Sequence, residues 1–254
     1  MEGTPLTAEP RTILCPCCST TSVVSGEPSR DGNVCSVCGS VSRDRYLVLT
    51  ILGAIASVSL GDPGRELSVL GVTGNSRVGD TLTRMLSSRY VNSGVGAEPA
   101  IDLRTVPLLH GSTFDIVVCS EQLQHEPAPV SAALEGLWRL VAPGGVAVIS
   151  LPHRIDEPHE EHFPELTEAR VEVSPGVVEY VGLNESGVAV RFSDLVIYGG
   201  LTGFLEHRMF NVSSLREGLL NAGFESAEPL MRNHGWAGAE WEPWSRVWLA
   251  HKGE

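Results

Sequence analysis

Phe114-Asp115-Ile116-Val117-Val118-Cys119 is the stretch whose reading decides the fold. It is a short run with apolar residues on both faces, the pattern of a strand covered by helices on either side of a sheet. It therefore predicts a central strand of a parallel sheet. On its C-terminal side Val130–Val141 has helical character and is stopped by Pro143-Gly144-Gly145, after which Val146–Leu151 is a strand. On its N-terminal side Leu67–Leu70 is a strand ending in the turn Gly71-Val72-Thr73-Gly74-Asn75. Val78–Leu86 then reads as a helix, Arg89–Asn92 as a second strand and Ala100–Leu103 as a short third. This alternation predicts βαβ units and hence an α/β, Rossmann-like sheet with helices on both faces, in which Phe114–Cys119 is the fourth strand. A helix at Ser213–Ala222, capped by Gly223, and a last strand at Arg246–Ala250 complete the pattern. Residues 153–200 break the rhythm with an acidic stretch, Asp156 to Glu168, and β-like alternation around Pro175-Gly176 and Ser186-Gly187. They read as an insertion, a lid or hairpin over the working edge of the sheet.

The other informative region lies before the sheet. Cys15 and Cys18 form one C-x-x-C, Cys35 and Cys38 another, with sixteen residues between the pairs. A C-x-x-C turn aims two thiolates at one point, and two such turns close a tetrahedral Zn²⁺ site with no position left for water. Two disulfides would need an oxidising compartment, which nothing else suggests, and a redox pair would not need the symmetry. Zinc is the expectation, with a structural role. Cys17 is a leftover thiol able to replace a neighbour as ligand, and Cys119 reads as a small core residue. Residues 1–12 are expected to be a loose arm and 13–43 a knot with too little apolar content to fold without metal. Apolar residues at Leu47, Val48, Ile51, Leu52 and Ile55 predict a helix over Ser42–Ser59 that links knot to sheet. The division expected is 1–44 for arm and zinc ribbon and 45–254 for the Rossmann-like domain.

Composition narrows the function. With 18 Lys and Arg against 31 Asp and Glu, the net charge is −13, which disfavours binding along a nucleic-acid backbone. It suits a small, neutral or cationic substrate, or simply a soluble surface. No apolar run reaches the roughly 18 uninterrupted residues of a membrane span, and the N-terminus lacks the basic-then-apolar layout of a signal peptide. No membrane association and a cytoplasmic location are expected; oligomeric state stays open.

The glycine turn after the first strand, Asp102-Leu103, Phe114–Val118, Glu121-Gln122-Leu123-Gln124-His125 and Leu140–Gly145 together resemble the class I S-adenosylmethionine-dependent methyltransferases. The matching stretch runs from about Glu66 to Leu151, and Arg246–Ala250 fits the antiparallel seventh strand of that fold. The cysteine pairs followed by Cys38-Gly39-Ser40-x-x-Arg43-x-Arg45 resemble a bacterial subgroup with an N-terminal zinc ribbon. The resemblance implies that Gly71, Thr73, Gly74 and Asn75 hold the methionine part of the cofactor. It likewise implies that Asp102 and Leu103 meet the adenine, and that Ser120 and Glu121 line the pocket near the sulfonium. The chain departs from the family in having no acid at Gly71-Val72-Thr73-Gly74. Asn92-Ser93-Gly94 also stands where an acid usually grips the ribose, with Glu98 nearby.

His125, just past the fourth strand, and His153, just past the fifth, are the candidate general bases. His159 and His162, spaced to share a helical face, lie beside Glu160 and Glu161, and a second metal site there competes with a solvated acidic lid. Trp236, Trp241 and Trp244 could wall a pocket, whereas Trp248 reads as core. Arg43 and Arg45 could contact RNA or pair with acids across the boundary between knot and domain. The function expected is methyl transfer from S-adenosylmethionine to a small molecule, a sugar or secondary metabolite, at O, N or C. The alternatives are a ribosomal or other RNA methyltransferase, or a repurposed, non-catalytic relative with a structural zinc site.

Overall fold

The computed structural model describes residues 10–25, 29–61, 63–64, 66–73, 76–93, 101–106, 113–198 and 203–254. The ribbon consists of β1 (Arg11–Cys15), β2 (Thr20–Ser25) and β3 (Val34–Cys35), paired antiparallel in that order. Helix α1 (Ser42–Gly61) follows, as its apolar stripe predicts, and buries Tyr46, Leu47, Val48, Ile51 and Ala54. By length and composition α1 would also suffice to cross a membrane, although 44% of its apolar window is buried in the fold.

The main sheet is built from β4 (Val69–Thr73), α2 (Ser76–Leu86), β5 (Tyr90–Asn92), β6 (Phe114–Ser120), α3 (Val130–Leu140) and β7 (Val141–Ser150). The insertion then adds β8 (His153–Arg154), β9 (Glu160–Glu161), β10 (Thr167–Ser174), β11 (Val177–Leu183), β12 (Ala189–Phe192), β13 (Ile197–Tyr198), β14 (Phe204–Leu205) and β15 (Arg208–Asn211). After it come α4 (Val212–Asn221), β16 (Ser226–Pro229) and β17 (Val247–His251). The strand order is β16-β17-β7-β6-β4-β5. β5, β4, β6 and β7 are parallel, and β17 runs antiparallel between β7 and β16.

Period-two alternation explains both layers. On β6, Ile116 and Val118 join α1 and α2 on one face, while Val117 and Cys119 join α3 and α4 on the other. Val146 and Val148 of β7 point to the first face, Ala147 and Ile149 to the second. Helix α4 starts at a capping box in which Asn211 and Ser214 satisfy each other's amides. It ends at Gly223, whose φ of +113° and close approach to Trp138 both exclude a side chain.

Three expectations change. Ile101, Asp102 and Leu103 lie outside any strand, so the third strand expected at Ala100–Leu103 is not formed by its described residues; Ala100 lies outside them. Pro143-Gly144-Gly145 does not terminate α3. That helix ends at Leu140 and passes directly into β7, with Gly145 pressed so close to the Asp115 carbonyl that a Cβ would stand 2.7 Å from it. His159 and His162 share no helical face, because β9 is a strand, His162 lies in the bend after it, and no helix forms there.

The insertion is the expected β structure: β10, β11 and β12 form an antiparallel sheet with a small core of Phe163, Tyr180 and Leu205. The ribbon is more integrated than an appendage. Ile13, Cys15, Val24 and Cys35 share one buried cluster with Leu47 and Ile51 of α1 and with Val69, Ile116 and Val146 of the sheet.

Candidate functional site

The two C-x-x-C turns are built alike. The amide of Ser19 donates to the Cys15 carbonyl (2.8 Å) and that of Gly39 to the Cys35 carbonyl (2.9 Å). Ser19 and Gly39 both take the left-handed conformation, with φ of +58° and +69°. These turns bring the sulfurs of Cys15, Cys18, Cys35 and Cys38 within 4.8 Å of one another. Sulfurs ~2.3 Å from a common zinc ion stand ~3.8 Å apart in a tetrahedron. The Cys15–Cys38 separation is 3.7 Å, so the donor set fits the ion.

Hydroxyls of Ser22, Thr20 and Ser40 lie 2.9, 3.0 and 3.4 Å from the sulfurs of Cys35, Cys18 and Cys15, a supporting layer for thiolate ligands. The Cys15 thiol is held down to about 3, chiefly by a hydrogen bond from Cys17 and, against burial, by one from Ser40. Among the described residues this quartet is the one group of three or more His, Cys, Asp or Glu ligand atoms close enough to share an ion. His159 instead pairs with Glu161 (3.0 Å), and His162 bridges Glu206 (3.0 Å) and Glu160 (3.5 Å).

Beside the ribbon, the sheet has its switch point. The chain leaves β4 through α2 to β5 on one side, and returns as β6 on the other, so a crevice opens at the carboxyl ends of β4 and β6. A cleft of about 650 Å³ lies there. Ser120, Glu121 and His125 come from the end of β6 and the turn after it, and Arg77 from the first turn of α2. Arg30 comes from the ribbon, Arg43 from the first turn of α1, and Tyr198 and Phe204 from the insertion.

Glu121 sits at φ +56°, a conformation that costs a non-glycine residue energy and persists only when its surroundings fix it. Its amide donates to Ser150 O (2.7 Å) and its Oε1 accepts from Ser150 Oγ (3.2 Å). Ser120 Oγ lies 2.8 Å from the same Ser150 hydroxyl, and Arg30 Nη2 is 2.5 Å from Glu121 Oε2.

His125 Nδ1 is 2.9 Å from the Leu205 carbonyl. A carbonyl only accepts, so Nδ1 carries the proton and Nε2 is left as the basic nitrogen. The ring packs against Tyr198 and Phe204, at centroid distances of 5.8 and 5.5 Å. Burial, then the adjacent Glu206 carboxylate, push the Tyr198 phenol up to about 12, and it donates to Glu206 at 3.0 Å.

The other expected site residues fall elsewhere. His153 is 2% exposed, with its ring edge-on to Trp248 and its amide bonded to Trp244 O (2.7 Å). Burial pushes its pKa down, and it does not line the cleft. The two candidate bases are therefore not brought together: β8, pairing with β15 in a separate small sheet, sets His153 against Trp248 and away from the residues that line the cleft.

Gly71 owes its lack of a side chain to Tyr90, whose hydroxyl would stand 2.1 Å from a Cβ there. Thr73 pairs with Ser120 at the strand ends, while Gly74 and Asn75 lie outside the described residues, as does Glu98. Asp102 is occupied by Arg104, accepting from its amide (2.9 Å), Nε (3.2 Å) and Nη2 (3.0 Å). Leu103 is buried, its carbonyl against Gly136 of α3. The Ser93 amide and hydroxyl both donate to Gly71 O, where the ribose acid was sought.

Arg45 is fully buried, and its guanidinium donates to carbonyls of Asn33, Ser40 and Gly238. It ties ribbon to domain and is not placed to touch RNA. Arg30, flanked by Trp241 and Trp244 at 5.9 and 5.7 Å, was missed from sequence, since nothing in the segment between the cysteine pairs marks it.

The last strand, β17, runs antiparallel between β7 and β16, as the sequence resemblance implied for an antiparallel strand at Arg246–Ala250. The fold is α/β with a mixed sheet. No family model matches the chain. Over 54 residues it is 39% identical to the ubiquinone biosynthesis O-methyltransferases of Psychrobacter cryohalolentis and Psychrobacter arcticus. The match spans 21% of this chain and 21% of theirs, about a fifth of the length of these curated relatives. Among solved structures, the chain is similar to a sugar N-methyltransferase from Streptoalloteichus (18% identity, 80% of this chain and 86% of that one, TM-score 0.44). It is similar as well to an amino pentose methyltransferase from Micromonospora echinaspora (17% identity, 83% and 93%, TM-score 0.43). A third is a 1,6-didemethyltoxoflavin N1-methyltransferase from Burkholderia thailandensis (18% identity, 82% and 81%, TM-score 0.40).

Proposed function

We propose that the chain transfers a methyl group from S-adenosylmethionine to a small molecule, a sugar or secondary metabolite, at O, N or C. The observation that carries this reading is the cleft at the switch point between β4 and β6, lined by charges of both signs and by one imidazole whose tautomer is fixed. The cofactor is itself charged with both signs, so the residues present fit it there. Ser120, Glu121 and the end of β4 at Thr73 would hold it, without a carboxylate from the described end of β5 on the ribose. Gly71 lies inside β4, so the turn expected to begin there starts later. When bound, it supplies an electrophilic methyl group on a sulfonium.

The chain's own part is to align and deprotonate an acceptor. Tyr198 and Phe204 wall the cleft on the insertion side, and holding the acceptor against them replaces a chance encounter with an oriented one. His125 Nε2 would take the proton from the acceptor's O–H or N–H. Tyr198, kept protonated by its high pKa, is a hydrogen-bond donor and not the base. We further propose that the cysteine quartet holds one zinc ion with a structural role, since four thiolates leave no open position. A cytoplasmic location fits the reduced cysteines this requires.

The test is incubation with S-adenosylmethionine and panels of amino sugars, phenols and heteroaromatic acceptors, read by mass spectrometry. A product heavier than its acceptor by one methylene, formed with S-adenosylhomocysteine, is the expected result. Formation of neither across the panels, with a cofactor that fails to bind, would end the methyl-transfer reading.

A further inference from the structure

The ribbon reaches into the cleft at one point, and that point has the chemistry of a ligand clamp. Arg30 lies between the cysteine pairs, far from the sheet in sequence, yet its guanidinium meets Glu121 at the end of β6. The arginine side chain is 8% exposed, flanked by Trp241 and Trp244, and its Nε has no hydrogen-bond partner among the described residues. Glu121 is held in the left-handed conformation by Ser150, which fixes the carboxylate as firmly as the tryptophans fix the guanidinium. Both line the cleft, as does Arg77 of the first turn of α2, the helix that follows the glycine turn.

We propose that Arg30 and Glu121 together hold the amino-acid end of S-adenosylmethionine, the guanidinium receiving the α-carboxylate and the Glu121 carboxylate the α-ammonium. This deepens the methyl-transfer reading and rests on it. An ion pair held on both sides, with its arginine buried and its glutamate half-buried, is a fixed dipole, and a zwitterion laid alongside it in the opposite sense sets each charge against its complement. The guanidinium carries five N–H donors in a planar fork, so its contact with Glu121 leaves donors for a second carboxylate. Glu121 likewise has lone pairs beyond those facing Ser150 and Arg30. The ribbon then has a task besides packing: the segment between its cysteine pairs carries one half of the clamp. Arg30 and Glu121 are positioning residues, since neither removes a proton nor contacts the acceptor.

Two probes separate this clamp from general binding. S-adenosylhomocysteine carries the amino-acid end, and 5′-methylthioadenosine keeps the nucleoside and thioether but lacks both charges. Calorimetric titration of the zinc-loaded, full-length protein with each is expected to show the following. Arg30→Gln weakens S-adenosylhomocysteine roughly 10- to 100-fold and leaves methylthioadenosine unchanged. Arg30→Lys, which keeps the charge and loses the fork, falls between. If Arg30→Gln lowers the thermal midpoint too far to be used, Arg30→Lys and Glu121→Gln are read by the same ratio of the two affinities.

Equal affinities for S-adenosylhomocysteine in wild type and variants, or parallel losses for both ligands, would overturn the clamp and leave methyl transfer standing. Failure of the wild type to bind either ligand would overturn the methyl-transfer reading, and the clamp with it.

Discussion

The hydrogen bond from His125 Nδ1 to the Leu205 carbonyl joins the turn after β6 to the insertion, and fixes Nδ1 as the protonated nitrogen. Replacing His125 by Ala is expected to lower kcat about 10²- to 10⁴-fold, the usual contribution of a positioned base, while the affinity for S-adenosylhomocysteine stays level. A variant with unchanged turnover would remove His125 from the mechanism. Gly71→Ala is expected to destabilise by about 1–3 kcal/mol, as overpacking does, because the new methyl meets the Tyr90 hydroxyl. Denaturant unfolding should show a smaller cost in a Tyr90→Phe background. His207, buried against Phe163 and Tyr180, is pushed down to about 4 by burial and then by the charge of Arg208. An unfolded imidazole titrates near ~6.5, so the unfolded chain takes the proton first as pH falls. The stability linked to His207 is therefore complete above about 6.5, declines towards about 4 and is level below. Thermal midpoints measured across that window should fall less steeply in His207→Phe than in the wild type. At this scale the sequence singled out His125 from its place after a central strand, and the structure sets it on the cleft. It could not reveal that Tyr90 fills the space over Gly71, because strand pairing chose that neighbour.

Among the elements, the ribbon was the most legible, since the spacing within C-x-x-C is a local constraint that the turns at Ser19 and Gly39 then satisfy. Metal analysis is expected to find about one tightly held zinc per chain. Cys35→Ser should lose it together with a large part of the thermal midpoint. A metal-free chain with an unchanged midpoint would contradict the structural role. The strands β4, β6, β7 and β17 were legible for a related reason: strands covered on both faces show as dense apolar runs. Ala100–Leu103 misled because Leu103 is buried as a single anchor against α3, and an isolated buried leucine resembles the start of a strand. The acidic stretch misled in the other direction. His159 and His162 have helical spacing, but β9 is held extended by pairing with β15, a partner some fifty residues away.

For the whole molecule, two expected parts prove to be joined. One buried cluster runs from Cys15 and Val24 through Ile51 to Val69 and Val146, and Arg45 bonds carbonyls on both sides of the boundary. The division expected at residue 44 came from the extent of the cysteine pairs; the shared core could not be read, since it depends on which face of the sheet α1 covers. Removal of zinc by a chelator is accordingly expected to unfold ribbon and sheet in one transition, followed together by far-ultraviolet dichroism and tryptophan fluorescence. Two separated transitions would show independent domains. The cleft belongs to this scale too, for its walls come from the ribbon, the ends of β6 and α2, and the insertion. The central claim is that this composite cleft binds S-adenosylmethionine, and calorimetric titration of the zinc-loaded protein with that cofactor tests it most directly. The account predicts saturable heat at one site per chain and a raised thermal midpoint; no heat and no shift at millimolar cofactor would contradict it.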